Sequence, residues 1–67
     1  MNIHFNNQPQ QIQDSTALQI FLDQLVGEKQ KGIAVAINDT VIPRLHWATH
    51  ILEPEDSILV ITATQGG

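Results

Sequence analysis

Leu18, Phe21, Leu22 and Leu25 fall at i, i+3, i+4 and i+7 and so form one apolar stripe of a single amphipathic helix. That stripe constrains the fold more than any other feature. The spacing predicts a helix over residues 17–26. Asp14-Ser15-Thr16 supplies start chemistry, and Thr16 with Gln19 fits a capping box, in which each side chain serves the other's backbone N–H. Gln19, Asp23 and Gln24 lie off the stripe, as does Ile20, whose apolar side chain has no assigned place. Gly27 ends the helix, because it enters the left-handed conformation without a Cβ penalty.

Everything around the helix reads as strand and turn. Ile3 and Phe5 alternate with Asn2 and His4, so residues 2–5 form a strand. Asn6-Asn7-Gln8-Pro9 is a turn, and residues 10–13 return as a weaker strand with Ile12 inward. After a polar connection at 28–32, the run Ile33-Ala34-Val35-Ala36-Ile37 is a strand that turns at Asn38-Asp39 into Val41-Ile42. Pro43 ends that strand or keeps it at an edge. Residues 44–50 suit a short helical turn with Trp47 packed inward. Glu53-Pro54-Glu55-Asp56 is another turn, and residues 57–63 form the most apolar strand. One helix stripe needs one sheet face to cover it, so the expected architecture is α+β: a mixed sheet with one main helix packed across it. The expected organisation is one domain over residues 1–63 and a flexible tail, Thr64-Gln65-Gly66-Gly67.

The core has to come from aliphatic packing. A chain of 67 residues is marginal in size, burying only about 60% of its unfolded surface. It contains no cysteine, which excludes disulfides and thiolate metal sites. The net charge is −4, with Lys29, Lys31 and Arg44 the only strong cations. So few cations cannot neutralise many phosphates, which argues against nucleic-acid partners and for a basic protein partner. No apolar run approaches the length of a membrane span, and MNIHFNN lacks the regions of a signal peptide. The expected location is the cytoplasm, with no membrane partner.

Ordinary catalytic constellations are missing. Ser15 and Ser57 have no nucleophile-elbow context. His46 and His50 stand at i, i+4, a spacing that can bind zinc on a helix, but residues 45–51 offer no further ligand; they read as surface histidines, as does His4. Glu53, Glu55 and Asp56 read as solvated turn carboxylates, or as part of an acidic docking surface, because a general acid or base needs a pocket that shifts its pKa. The expectation is therefore no catalytic residue and no bound metal. What remains is the terminus. Glycine lets a backbone pass through a narrow channel, and four extended residues reach roughly 13 Å. The closing Gly66-Gly67 can thus carry a carboxylate away from the body. That carboxylate is ionised at neutral pH and is a poor electrophile until an enzyme activates it.

On these residues the chain resembles the ThiS-type sulfur carriers of thiamin biosynthesis, members of the ubiquitin-like superfamily. The resemblance covers essentially the whole length. It rests on the opening MNIHFNNQP, on Thr16-Ala17-Leu18 through Leu22-Asp23-Gln24-Leu25, on Ala34-Val35-Ala36-Ile37-Asn38 with Val41-Ile42-Pro43-Arg44 and Trp47, on Asp56 with the strand after it, and on Gly66-Gly67. The family often has glycine where this chain has Glu55, and an aliphatic or aromatic run where it has Thr62-Ala63-Thr64-Gln65.

The resemblance implies a β-grasp fold and a carrier that catalyses nothing itself. A ubiquitin-activating-like adenylyltransferase of the ThiF type would use ATP and magnesium to adenylate the Gly67 carboxylate. A sulfur-donor protein would then displace AMP to leave a thiocarboxylate, and a thiazole synthase of the ThiG type would take up the sulfur. No cofactor is stably bound in that cycle. A related carrier for molybdopterin synthesis, and a binding module of the same fold with incidental glycines, remain alternatives.

Strand alternation adds a candidate docking face. With Ile33, Val35, Ile37, Ile58 and Val60 turned to the core, Ala34, Ala36, Leu59 and Ile61 form an apolar patch leading toward the tail. A covering loop, with Trp47, is the competing arrangement. Arg44, the only arginine, is a further candidate for partner contact.

Overall fold

The computed structural model describes residues 1–27 and 32–62. Thr64, Gln65, Gly66 and Gly67, together with Ala63 and most of the polar connection after the helix, lie outside the described residues. Five strands and one helix follow in the order β1 (Asn2–Phe5), β2 (Gln8–Gln11), α1 (Leu18–Leu25), β3 (Ile33–Ile37), β4 (Thr40–Val41) and β5 (Ser57–Thr62). A 3-10 turn, Arg44–His46, lies between β4 and β5. The strands form one mixed sheet in the order β2-β1-β5-β3-β4, with β1 and β5 parallel and the other pairs antiparallel. With α1 packed across one face, this is the α+β roll expected from the helix stripe.

Two tight turns set the register. Asn6 and Asn7 have φ of 48° and 68°, and Asn38 and Asp39 have φ of 50° and 69°. Paired positive φ values are those of the two-residue hairpin turn whose twist matches the flanking strands. The first turn is therefore shorter than the expected Asn6-Asn7-Gln8-Pro9, and the second strand begins at Gln8 instead of Gln10. Pro9 sits inside β2 without cost. Ile12 N–H donates to the Met1 carbonyl at 2.9 Å, which makes that a hydrogen-bonded pair. Alternation from there leaves His4↔Pro9 a non-bonded pair on the edge strand, where no N–H is needed.

The helix start differs from the expected capping box. Ala17, not Thr16, is the N-cap, and no side chain caps it. The Thr16 hydroxyl donates to the Gln13 carbonyl at 2.7 Å, and the Gln19 amide donates to Asp23 at 3.0 Å. The first helical N–H groups are instead taken by a distant segment: Leu18 donates to His50 O at 2.7 Å and Gln19 to Trp47 O at 2.9 Å. Leu52 N–H returns a bond to Thr16 O at 2.8 Å. Tertiary carbonyls thus replace the local cap. At the other end Val26 and Gly27 both donate to Leu22 O, and Gly27 has φ of 63°, the left-handed terminator the sequence calls for.

The core is Ile3, Leu18, Phe21, Leu22, Val35, Ile37, Trp47, Leu52 and Ile58. Ile33 and Val60, expected inside, are half-buried at its margin. Phe5 meets Phe21 edge-on with ring centroids 5.4 Å apart. Trp47 is buried, and its indole N–H donates to Ile42 O at 2.8 Å. Leu25, the last member of the helix stripe, is 43% exposed, and Ile20 is also exposed. Both line a shallow groove between α1 and residues 10–13.

Candidate functional site

The site is built around β5, the central strand and the one that leads to the tail. In β5 the side chains alternate, so Ile58 enters the core while Leu59 and Ile61 point the other way. Antiparallel pairing places Ala36 opposite Leu59 and Ala34 opposite Ile61. Side chains directly opposite on one face lie within about 5.5 Å at Cβ, so these four residues make one continuous patch. Leu59 and Ile61 are 43% and 53% exposed, Ala34 is exposed and Ala36 is half-buried. No loop of the described residues covers them, and Trp47 packs on the opposite face with α1.

The patch has a fifth member that strand alternation alone did not reveal. Val41 pairs with Ala36 across the β3–β4 hairpin and is 66% exposed. The signal for it is the Asn38-Asp39 turn: two loop residues set Ile37 opposite Thr40 and therefore Ala36 opposite Val41. On the other side the face continues to His4, which pairs with Ser57 and is exposed.

Arg44 does not join this patch. Its guanidinium lies 4.8 Å from the centre of the Trp47 ring, a cation–π contact against a core residue of the opposite face. As a partner contact, Arg44 would form a separate element beside the sheet.

Asp56 is not a solvated turn carboxylate. It is 7% exposed and both its oxygens are hydrogen-bonded: Oδ1 accepts from the Asn38 amide at 3.0 Å and Oδ2 accepts from Glu53 N–H at 2.8 Å. Asn38 in turn accepts from Ser57 N–H at 3.0 Å. The network ties the 53–56 turn to the β3–β4 turn and fixes where β5 begins. A buried carboxylate with both oxygens held by structural donors is a brace. Glu55 beside it has φ of 69°, a left-handed backbone that favours glycine, which accounts for glycine at this place in the family the chain resembles.

His46 and His50 do form one helical turn, with His50 N–H donating to His46 O at 2.9 Å. Among the described residues, no group of three or more His, Asp or Glu gathers in a way that could hold a metal ion. No helix among them is long and apolar enough to cross a membrane.

Residues 3–67 match the ThiS family. The chain is 39% identical over 67 residues to the sulfur carrier protein ThiS of Escherichia coli (strain K12), a match that covers all of both chains. The crystal structure of a thiamine biosynthesis protein (ThiS) from Geobacter metallireducens superposes with a TM-score of 0.88 at 20% identity, again over the whole of both chains. At that identity the structural likeness speaks for the β-grasp fold alone.

Proposed function

The chain belongs to the ThiS family and is a sulfur carrier of thiamin biosynthesis, not an enzyme, and from that premise we propose how its parts share the work. The working group is the carboxylate of Gly67, and the family match runs through that residue. An adenylyltransferase of the ThiF type binds the carrier and uses ATP with magnesium. The carboxylate oxygen attacks the α-phosphorus, pyrophosphate leaves, and the Gly67 carbonyl becomes an acyl adenylate. A sulfide equivalent from a sulfur-donor protein adds to that carbonyl and expels AMP. The product is a thiocarboxylate, which a thiazole synthase of the ThiG type consumes. ATP and magnesium are used by the activating partner, and the cycle runs in the cytoplasm.

The body supplies recognition. Ala34, Ala36, Leu59, Ile61 and Val41 offer an apolar face on the strand that leads into Thr64-Gln65-Gly66-Gly67, and a face of this kind marks an interaction site. The net charge of −4 favours a partner whose docking rim is basic. The observation that carries the reading is the end-to-end match at 39% identity.

The test is the intact mass of the chain after incubation with the adenylyltransferase, ATP, magnesium and a sulfur donor. The expected result is a gain equal to exchanging one oxygen for sulfur, lost when Gly67 is deleted. An unchanged mass, or an equal gain in the chain lacking Gly67, contradicts the proposal.

A further inference from the structure

β5 is held from both sides by an asparagine at the start of a tight turn. Asn38 closes its beginning, accepting from Ser57 N–H at 3.0 Å through the side chain and donating to Ser57 O at 2.9 Å through the backbone. Asn6 does the corresponding job near its end. Its backbone N–H donates to Ile58 O at 2.9 Å, and its side-chain Oδ1 accepts from Val60 N–H at 2.8 Å.

The second of these bonds is unusual in what it replaces. β1 runs parallel to β5, with His4 N–H donating to Asp56 O and Asn6 N–H to Ile58 O. The next rung of a parallel ladder would be Val60 N–H to the main-chain carbonyl of residue 6. At Asn6 the chain has φ of 48° and is already turning toward β2. The side-chain carbonyl of Asn6 takes the rung that the backbone gives up. The ladder on the β1 side is thereby extended to Val60, two residues short of the end of β5 and seven short of Gly67.

We infer that Asn6 is a positioning residue for activation of the carrier: its side chain holds Val60 on the side that the β1 backbone has left, so that the second half of β5 is braced from both neighbouring strands while the carrier is adenylated. This rests on the carrier function proposed above. The docking patch keeps its register without Asn6, because β3 pairs with β5 as far as Thr62. Loss of the clamp therefore acts on the adenylation step and leaves docking in place.

Two substitutions separate the clamp from the turn. Asn6→Gly accepts the positive φ and removes the acceptor; Asn6→Asp tolerates the same φ and keeps an acceptor. Adenylation is followed by pyrophosphate release, and Val60 amide exchange is measured by NMR. For Asn6→Gly, kcat falls about 3- to 10-fold, the scale of one hydrogen bond's net worth, with KM unchanged. Its Val60 amide exchanges faster, and Asn6→Asp restores both readouts. Wild-type kcat in Asn6→Gly, or a raised KM with kcat unchanged, overturns the inference while leaving the carrier function standing. An unprotected Val60 amide in the wild-type chain overturns it without recourse to any variant. Failure of the wild-type chain to be adenylated overturns the carrier function, and this inference with it.

Discussion

The two faces of the β3–β5 pair are made by the same alternation of the same two strands, yet they meet different surroundings. On one face Val35, Ile37 and Ile58 lie under α1 and are buried; on the other Ala34, Leu59 and Ile61 are exposed and Ala36 is half-buried. Both faces are apolar, so hydropathy does not separate them. What separates them is cover: the described residues hold one α-helix, and one helix protects one face. The uncovered face can remain apolar because it is small and carries two alanines, and the docking proposed above would cover it.

The contrast can be broken from its buried side first. Ile58→Ala removes a fully buried side chain and should cost about 2–4 kcal/mol in urea unfolding, most of what a domain of this size holds in reserve. Activation should then fall only in step with the unfolded fraction. Asp56→Ala comes next. It leaves Glu53 N–H and the Asn38 amide without their acceptor and should cost about 1–3 kcal/mol, read by the same unfolding curve.

The uncovered face should respond in the opposite way. Ile61→Asp should lower kcat/KM for adenylation about tenfold or more, as expected for a residue near the centre of an interface, while costing the fold no more than about 1 kcal/mol. Global unfolding by this substitution would place Ile61 in the core and remove the docking face. The smallest effect is a gain. Glu55→Gly relieves a left-handed residue in a turn that belongs to neither face, and should raise stability by about 0.5–1 kcal/mol with activation unchanged.

Much of this arrangement is written locally and so can be read without coordinates. The alternation in residues 33–37 and 57–62 assigns each side chain to a face, and the helix stripe says that one face is covered. The places of the Asn-containing turns are equally legible, because few residues other than glycine accept positive φ readily, although the first turn is two residues shorter than expected. Where sequence and structure differ, contacts that local pattern does not encode decided the outcome. Thr16 and Gln19 look like a capping box until the carbonyls of Trp47 and His50 arrive at the helix start. Asp56 looks like a solvated turn residue until Asn38 reaches it from the other hairpin. Leu52, in an irregular segment, has no periodicity to announce that it is core. Arg44 follows a strand that borders the exposed apolar face, but the Trp47 ring draws it to the other side.

The proposed division of labour between the faces can be tested by titrating the isotope-labelled chain with the adenylyltransferase and following the amide and methyl signals. Broadening and shifts should concentrate on Ala34, Ala36, Val41, Leu59 and Ile61, with the exposed helix residues Ile20 and Leu25 unmoved. Perturbation centred on Ile20 and Leu25, with the sheet face silent, would contradict the account.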